Sequence, residues 1–466
     1  MWVVWMKKVL SLLYTLTMIF LVYLIFKIDI LPNNILIIIL FGILFIAIIL
    51  NLILLKSKNR IINSIVLIIM LITGGIILYG ANYLNSTVSF IKEANSIKEE
   101  INKYYVVVLD KSEYKKIDDI KAKNVGYVEN TPEEVFNKID VELDYNSYSN
   151  QLELYKDLDI KKIEAILVSD SYMDIMTEEV DNFKENTRIL YTIDIYKKIE
   201  NINKSVETNK ESFTIYISGI DTYGSIGNVS RSDVNILVTV NPNTGKILLT
   251  SIPRDYYVRL HGTTGYKDKL THAGLYGINM SVSTIEDLID IDINYYVRVN
   301  FNTLIKVIDE IGGIDIYSDT DFIAWTDESC KFNQGMNSVG GKCALAFSRE
   351  RYAYQGGDRH RGQNQQAVIS AIIKKVNTDR NLILKYNDIL DSLNGTFQTN
   401  MQFEDITSFI KNQINNNISW DIESISLDGY DSSNYTYSYS GSKLYVMEPN
   451  YNTVENAKNK ILEVSS

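Results

Sequence analysis

The chain opens with three runs that are almost wholly apolar: Leu10 to Phe26, Ile35 to Leu55, and Ile61 to Leu84, the last interrupted by Asn63, Ser64 and a Thr-Gly-Gly. Each is about long enough to cross a hydrocarbon core of roughly 30 Å. A buried helix of a soluble domain would show a polar stripe, and none of the three does. Lys7 and Lys8 precede the first run, and Lys56, Lys58 and Arg60 fill the tight link between the second and third. The link between the first and second, "KIDILPNN", is nearly neutral. The positive-inside bias therefore puts the N-terminus and the second link in the cytoplasm, and everything after about residue 85 outside. A cleaved leader is the competing reading of the first run, but no small-residue cleavage site follows it and two more spans do.

Past residue 85 the pattern changes. Residues 85–103 read as a charged helical stalk. "YYVVVLD" from Tyr104 is a short β-branched strand, "DIKAKNVGYV" holds a second, and "TPEEVFNKI" carries a helix-start signal at Thr131 and Pro132. "EAILVSDSYMDIM" is a strand running into a helix, and "TRILYTIDI" is one more strand. This alternation to about residue 196 argues for an α/β spacer or partner-binding domain. The polar stretch Lys197 to Ser212 lacks apolar periodicity and reads as a linker. "FTIYISGID" then opens a second outside domain. A hairpin follows around "NPNTGK", then a helix at "SVSTIEDLIDI". "YYVRVNFNTLIKVIDEIGGIDIYS" reads as strand, helix, Gly-Gly stop and strand. "SVGGKCALAFSRERY" is a helix, and "GQNQQAVISAIIKKV" a long amphipathic one. After about residue 400 come a helix, a strand and a polar loop, "YDSSNYTYSYSGS". The expected fold class is α/β with a mixed central sheet.

Composition narrows the chemistry. The chain has 466 residues and a net charge of -11, which argues against general nucleic-acid binding. Cys330 and Cys343 both fall in the outside part, where a disulfide is permitted. Zinc-ligand spacing, a Gly-x-Ser-x-Gly elbow and a Walker loop are all absent from the sequence. Lysine is the default cation, at thirty-five against eleven arginines, yet eight arginines lie between 231 and 361: Arg231, Arg254, Arg259, Arg298, Arg349, Arg351, Arg359 and Arg361. Arginine in place of lysine indicates a demand for a planar, always-charged fork, as in phosphate or carboxylate recognition. Asp221 ends a strand at "SGIDT" and Asp233 sits at the mouth of the next, where ligands gather in α/β sheets. Two carboxylates there suit a hard cation such as Mg²⁺. Each alone could equally cap a turn. In "SIPRDYYV", Pro253 aims Arg254 and Asp255 could orient it; "KLTHAG" adds Lys269 and His272.

The order "SGID", "RSD", "SIPRD", "KLTHAGLYG", "VNF…DEIGGI" and "ALAFSRERY…GGDRHRGQNQQ" resembles the LytR-CpsA-Psr (LCP) family over residues 213–376, and the spans with the extra outside domain resemble its capsule-type branch. That resemblance implies an enzyme on the outer face of a Gram-positive-type membrane. It would transfer a glycopolymer such as capsule polysaccharide or teichoic acid from a polyprenyl-pyrophosphate carrier to peptidoglycan. It implies Mg²⁺, or Mn²⁺, held by Asp221 and Asp233, with Arg254 as the third catalytic residue. Arg231, Arg349, Arg351, Arg361 and Gln365 would contact the phosphates, Lys269 would lie near the same head group, and Asp358 would orient neighbouring arginines. The lipid tail is expected in an apolar tunnel through the sheet, against the apolar face of Gln366 to Val376. Two departures stand out. His272 occupies a position usually Asn or Ala, and Asn364 replaces a cation that Arg359 is expected to supply. Which residue takes the acceptor's hydroxyl proton is open between Asp233 and Asp221. The implied organisation is a three-span anchor (1–84), stalk (85–103), accessory α/β domain (104–196), linker (197–212), LCP core (213–380) and its C-terminal extension (381–466). Expected partners are the lipid-linked glycan, peptidoglycan, the membrane and capsule-assembly proteins. Two other readings use the same residues: a lipid pyrophosphatase with water as acceptor, and a non-catalytic lipid-binding or regulatory protein.

Overall fold

The computed structural model describes residues 2–28, 33–95, 99–129, 131–220, 226–393, 395–416 and 418–466. Helices α1 (Trp2–Ile28), α2 (Asn33–Lys56) and α3 (Arg60–Ala94) take up the apolar runs. Each contains a stretch long and apolar enough to cross a membrane, at 5–26, 33–56 and 60–80. Their few polar side chains find one another: Ser11 Oγ donates to Asn51 Oδ1 at 2.7 Å, and Asn51 Nδ2 donates to Thr15 Oγ1 at 3.1 Å. Such pairing relieves polar atoms where no water is available. The third helix does not stop at Leu84; it continues to Ala94.

Strands β1 (Glu99–Leu109), β2 (Asn124–Val128), β3 (Asp144–Tyr148), β4 (Ala165–Ser169) and β5 (Thr187–Lys198) form a mixed sheet in the order β3-β2-β4-β1-β5. The first strand starts at Glu99, inside the expected stalk. Along it Val106 and Val108 face one apolar cluster and Val107 the other, the period of two that a sheet covered on both faces requires. Helices α4 (Glu133–Phe136), α5 (Gln151–Asp159), α6 (Asp170–Glu179) and α7 (Phe183–Asn186) connect the strands. The helix announced by Thr131 is a single turn, and Thr131 Oγ1 bonds back to the Val128 carbonyl at 2.7 Å instead of capping forward. Ser169 caps α6, its Oγ accepting from Tyr172 N–H at 3.2 Å.

Residues 199–212 have no regular structure, but they are tied down. Lys204 reaches both Glu286 and Asp292 at 2.6 Å, and Thr208 Oγ1 donates to the Asp405 carbonyl at 2.6 Å. The second sheet is built from β6 (Phe213–Ile220), β7 (Ser232–Asn241) and β8 (Lys246–Ser251), which form a meander. A short ribbon, β9 (Tyr257–Val258) with β10 (Asp268–Lys269), leads into α8 (Leu270–Ala273) and α9 (Ile278–Ile289). Next come β11 (Tyr295–Asn300), α10 (Phe301–Glu310) and the small strands β12 (Ile314–Ser318), β13 (Phe322–Ile323), β14 (Lys331–Phe332) and β15 (Gly335–Val339). After them come α11 (Gly341–Arg349), α12 (Asp358–Thr378), α13 (Tyr386–Leu393), β16 (Phe397–Thr399), α14 (Phe403–Asn416) and β17 (Asp421–Ser426). The sheet order is β16-β11-β6-β7-β8-β17, with β11 parallel to β6 and β17 parallel to β8. Gly312 and Gly313, both at positive φ, end α10 as expected.

The C-terminal tail and the start of α9 depart from the sequence reading. The "YDSSNYTYSYSGS" segment is not all loop: β18 (Gly429–Asn434) pairs antiparallel with β19 (Leu444–Pro449), and α15 (Tyr451–Ser465) closes the chain against the core. Helix α9 begins at Ile278, ahead of "SVST", because its first amide has a partner from far away: Ile278 N–H donates to Glu100 Oε1 of β1 at 2.8 Å. Gly277 (φ +102°) makes room for that carboxylate, since a Cβ there would lie 2.2 Å from Glu100 Oε2. Cys330 and Cys343 form a disulfide beside the lobe that carries Phe332 and Phe347.

Candidate active site

Asp233 is the second residue of β7 and the one its ladder skips: Gly219 pairs with Val234 and Ile220 with Ser232, so Asp233 bulges out of the pairing. Its Oδ1 accepts from Thr271 Oγ1 at 2.8 Å and lies 3.1 Å from Arg254 Nη1. Burial opposes the charged form of Asp233, yet the guanidiniums of Arg254, Arg231 and Arg361 outweigh it and hold the carboxyl below its ordinary range. Arg254 projects from the end of β8 after Pro253. Asp255, buried, orients it: Asp255 Oδ2 lies 3.5 Å from Arg254 Nε, and Asp255 Oδ1 lies 3.3 Å from Lys269 Nζ.

Two more arginines come from the end of α11. The buried Glu350 between them folds the chain, accepting from the backbone N–H groups of Arg351, Tyr352, Ala353 and Trp325 at 3.0, 2.8, 3.0 and 3.1 Å. That turn splays its neighbours. The Arg349 guanidinium lies 4.4 Å from the centre of the Phe301 ring, and that of Arg351 lies 5.4 Å from Trp325 and 5.1 Å from Tyr352. Stacking of this kind suits arginine and not lysine. Arg361 and Gln365 follow on α12, one turn apart and therefore on one face. Val368, Ile369, Ile372 and Ile373 continue that face at helical spacing.

Asp233, Arg254, Arg349, Arg351, Arg361, Gln365 and the apolar α12 face border one cavity of about 470 Å³, within the range of small-molecule sites. Its inner wall is apolar: Ile217 and Val234 from the meander, Val297 and Val299 from β11, Leu304 and Val307 from α10, and the α12 face. Four arginines (254, 349, 351, 361) and two carboxylates (Asp233, Glu178) supply the charge on its wall. The cavity lies between one face of the sheet and helices α10 to α12, and so corrects the expectation of a tunnel through the sheet. Strand side chains alternate faces, and the opposite face carries Tyr216, Leu237 and Leu248 packed under α9 and α15.

The remaining expected residues have other places. Arg231 Nη1 lies 2.6 Å from Glu178 Oε2, and its Nε lies 4.0 Å from Asp174 Oδ2, both on α6 of the first sheet unit. Lys269 reaches Asp255 but is not on the cavity wall. Arg359 does not replace the missing cation: it turns away to Asp428 at 2.7 Å and Asp431 at 3.3 Å, because β18 places both acids beside it. Asn364 is buried and bonds the Phe347 carbonyl at 3.2 Å. His272 is buried on Asp268 at 2.6 Å, and His360 stacks on Tyr354. Asp221 lies outside the described residues. Asp358 opens α12, and its side chain also lies outside them. Glu178 and Glu350 went unread in the sequence. Glu178 belongs to the other sheet unit, and nothing local marks an acid that acts across an interface.

Among the described residues no group of three or more His, Cys, Asp or Glu could hold a metal ion by itself. The donors at the mouth are carboxylate oxygens, and Asp233 is kept ionised. That set fits a hard cation such as Mg²⁺, which takes one or two carboxylates and completes its shell with substrate phosphate oxygens.

The family model LytR_cpsA_psr matches residues 176–458. A polyisoprenyl-teichoic acid–peptidoglycan teichoic acid transferase TagU of Enterococcus faecalis is 35% identical over 216 residues, covering 45% of this chain and 69% of the relative. The corresponding transferase TagT of Bacillus subtilis is 32% identical over 270 residues, covering 55% of this chain and 78% of the relative. Among solved structures, a LytR-CPS2A-psr family protein, YwtF (TagT), with bound octaprenyl pyrophosphate lipid is 29% identical, with 56% of this chain and 93% of that one covered at a TM-score of 0.42.

Proposed function

Because the chain belongs to the LytR-CpsA-Psr family, we propose that it transfers a glycopolymer from a polyprenyl-pyrophosphate carrier to peptidoglycan, on the outer face of the membrane that its three N-terminal helices cross. The first sheet unit serves as its accessory domain. The observation that carries this reading is the cavity itself, whose apolar depth opens onto four arginines and an ionised aspartate. An apolar chain with a diphosphate head is the ligand chemistry that matches both ends. The relatives' activity on teichoic acid supports the class of polymer.

In this reading the polyprenyl tail lies along the α12 face and the diphosphate meets Arg254, Arg349, Arg351 and Arg361. A hydroxyl of the wall glycan attacks the phosphorus next to the polymer's sugar. The new bond is oxygen to phosphorus, the bridging P–O bond breaks, and polyprenyl phosphate leaves with the electron pair. The hydroxyl proton passes to a carboxylate at the mouth. The arginines stabilise the charge that builds on the leaving phosphate, the main demand of phosphoryl transfer. Asp233, with Asp221, would hold Mg²⁺ (or Mn²⁺), which when bound neutralises phosphate charge.

The test uses the full chain in detergent with a synthetic polyprenyl-pyrophosphoryl saccharide, peptidoglycan oligomers and Mg²⁺, read by mass spectrometry. A saccharide–peptidoglycan adduct that is lost in Asp233→Ala and after chelation supports the transferase. Free saccharide phosphate alone would replace it with a pyrophosphatase. Lipid binding without any product would replace it with a binding or regulatory role.

A further inference from the structure

The first sheet unit grips one short stretch of the catalytic chain, 227–231, at both ends. At one end, Ile101 N–H donates to the Gly227 carbonyl at 2.9 Å, and Val229 N–H donates to the Ile101 carbonyl at 3.1 Å. Beside them Glu100 pairs with the buried Arg298 at 3.3 Å, and Arg298 Nη2 donates to the Asn228 carbonyl at 2.9 Å. At the other end stands Arg231, two residues before Asp233. Its side chain is only 12% exposed; its ion-pair partners come from α6, with Glu178 at 2.6 Å and Asp174 at 4.0 Å, and Asp233 adds a third negative charge nearby. Glu178 also borders the cavity next to Asp233 and Arg254.

The Arg231 guanidinium has one prong committed to Glu178. Its Nε–H is buried and makes no hydrogen bond among the described residues. A buried donor without an acceptor costs free energy, and an anionic oxygen is the partner that would relieve it. We infer that Glu178, supplied by the first sheet unit, is a positioning residue of the site: it holds Arg231, which lies off the cavity wall beside Glu178 and two residues from Asp233, where its remaining donors reach a diphosphate bound at the mouth. The accessory unit is then part of the active site and not a spacer. This rests on the proposed function, since it assumes a diphosphate ligand.

The experiment measures farnesyl pyrophosphate binding to the full chain in detergent by titration calorimetry, with thermal melts alongside. Glu178→Ala is expected to weaken diphosphate binding about tenfold, the kind of loss seen when one partner of a charge pair is truncated. Glu178→Gln keeps the hydrogen bond and should fall between. Glu178→Ala also strips the buried Arg231 of a counter-charge, so its melting temperature should fall; Glu178→Gln, which keeps the hydrogen bond, should melt close to wild type, so its loss of affinity reports orientation and not unfolding. Equal affinity in wild type and Glu178→Ala would overturn the inference while leaving the function intact. Tighter binding by Glu178→Ala would also overturn it, showing that the carboxylate competes with phosphate. A wild type that does not bind the diphosphate would instead strike at the proposed function.

Discussion

Arg349 and Arg351 stand two residues apart, each resting on an aromatic face and with Glu350 anchoring the turn between them. Their use depends on a flat fork held at a set angle, so Arg349→Lys should keep the charge and still fail. The expected effect is a loss of about tenfold in diphosphate affinity with folding unchanged, because the stacking on Phe301 and the second prong both go. Binding titration checks it; a lysine variant that binds like wild type would mean that charge alone suffices there. At this scale the sequence was legible where residue type is diagnostic. Arginine in a lysine-rich chain marked the cavity mouth, and the strand-end Asp233 marked its carboxylate. It was illegible where a neighbour decides the matter. Arg359 carries the same signal as Arg361, but Asp428 and Asp431 draw it out of the site, and those acids lie on a hairpin the sequence did not announce.

Elements were legible to the extent that their causes are local. The β6–β7–β8 meander, the Gly-Gly stop of α10 and the α12 stripe follow from alternation, positive φ and helical spacing. The start of α9 did not, because its cap is a carboxylate from β1, and β18 did not, because its polar surface resembles a loop. The disulfide is another local device. It closes a separation of 13 residues around the lobe that bears Trp325 and leads into α11. Replacing both cysteines by serine should lower stability by about 2–4 kcal/mol, seen as a lower melting temperature that reducing agent no longer affects. A pair of variants as stable as the oxidised wild type would show that the lobe's apolar cluster is sufficient without the link.

The two sheet units meet through an apolar cluster and main-chain hydrogen bonds, with buried ion pairs beside them. Glu100 and Arg298 are both buried, and burial pushes the Arg298 pKa below its ordinary value in spite of the carboxylate. Removing one partner strands the other, so Arg298→Met should cost about 3–5 kcal/mol, whereas replacing both partners with apolar residues should cost much less. Denaturant titration of the single and double variants separates the two. Asp174 gives a second handle. Burial, with repulsion from Asp170, Glu178 and Asp233, raises its pKa from 3.8 to about 6 despite the pull of Arg231. The folded chain therefore binds more protons than the unfolded chain between those values, and stability from this residue falls as pH rises through that window. Thermal melts between pH 4 and 7 should show a decline that Asp174→Asn flattens. A wild-type profile no different from the variant's would place the effect elsewhere.

Helix α3 ends at Ala94 and β1 begins at Glu99, and at the end of that helix Phe90 stacks on Phe397 at 5.8 Å while Asn95 Nδ2 bonds the Met401 carbonyl. The end of α3 is thus a strut braced against the second sheet unit. With the topology and function proposed above, a site mounted on it would work at one altitude above the lipid surface and would not swing outward to meet an acceptor. On that proposal the wall would have to come to the site, and only strands lying in the innermost layer, at the height of that strut, would be decorated. Lengthening the strut with a rigid insert would shift that layer; a floppy insert would blur it.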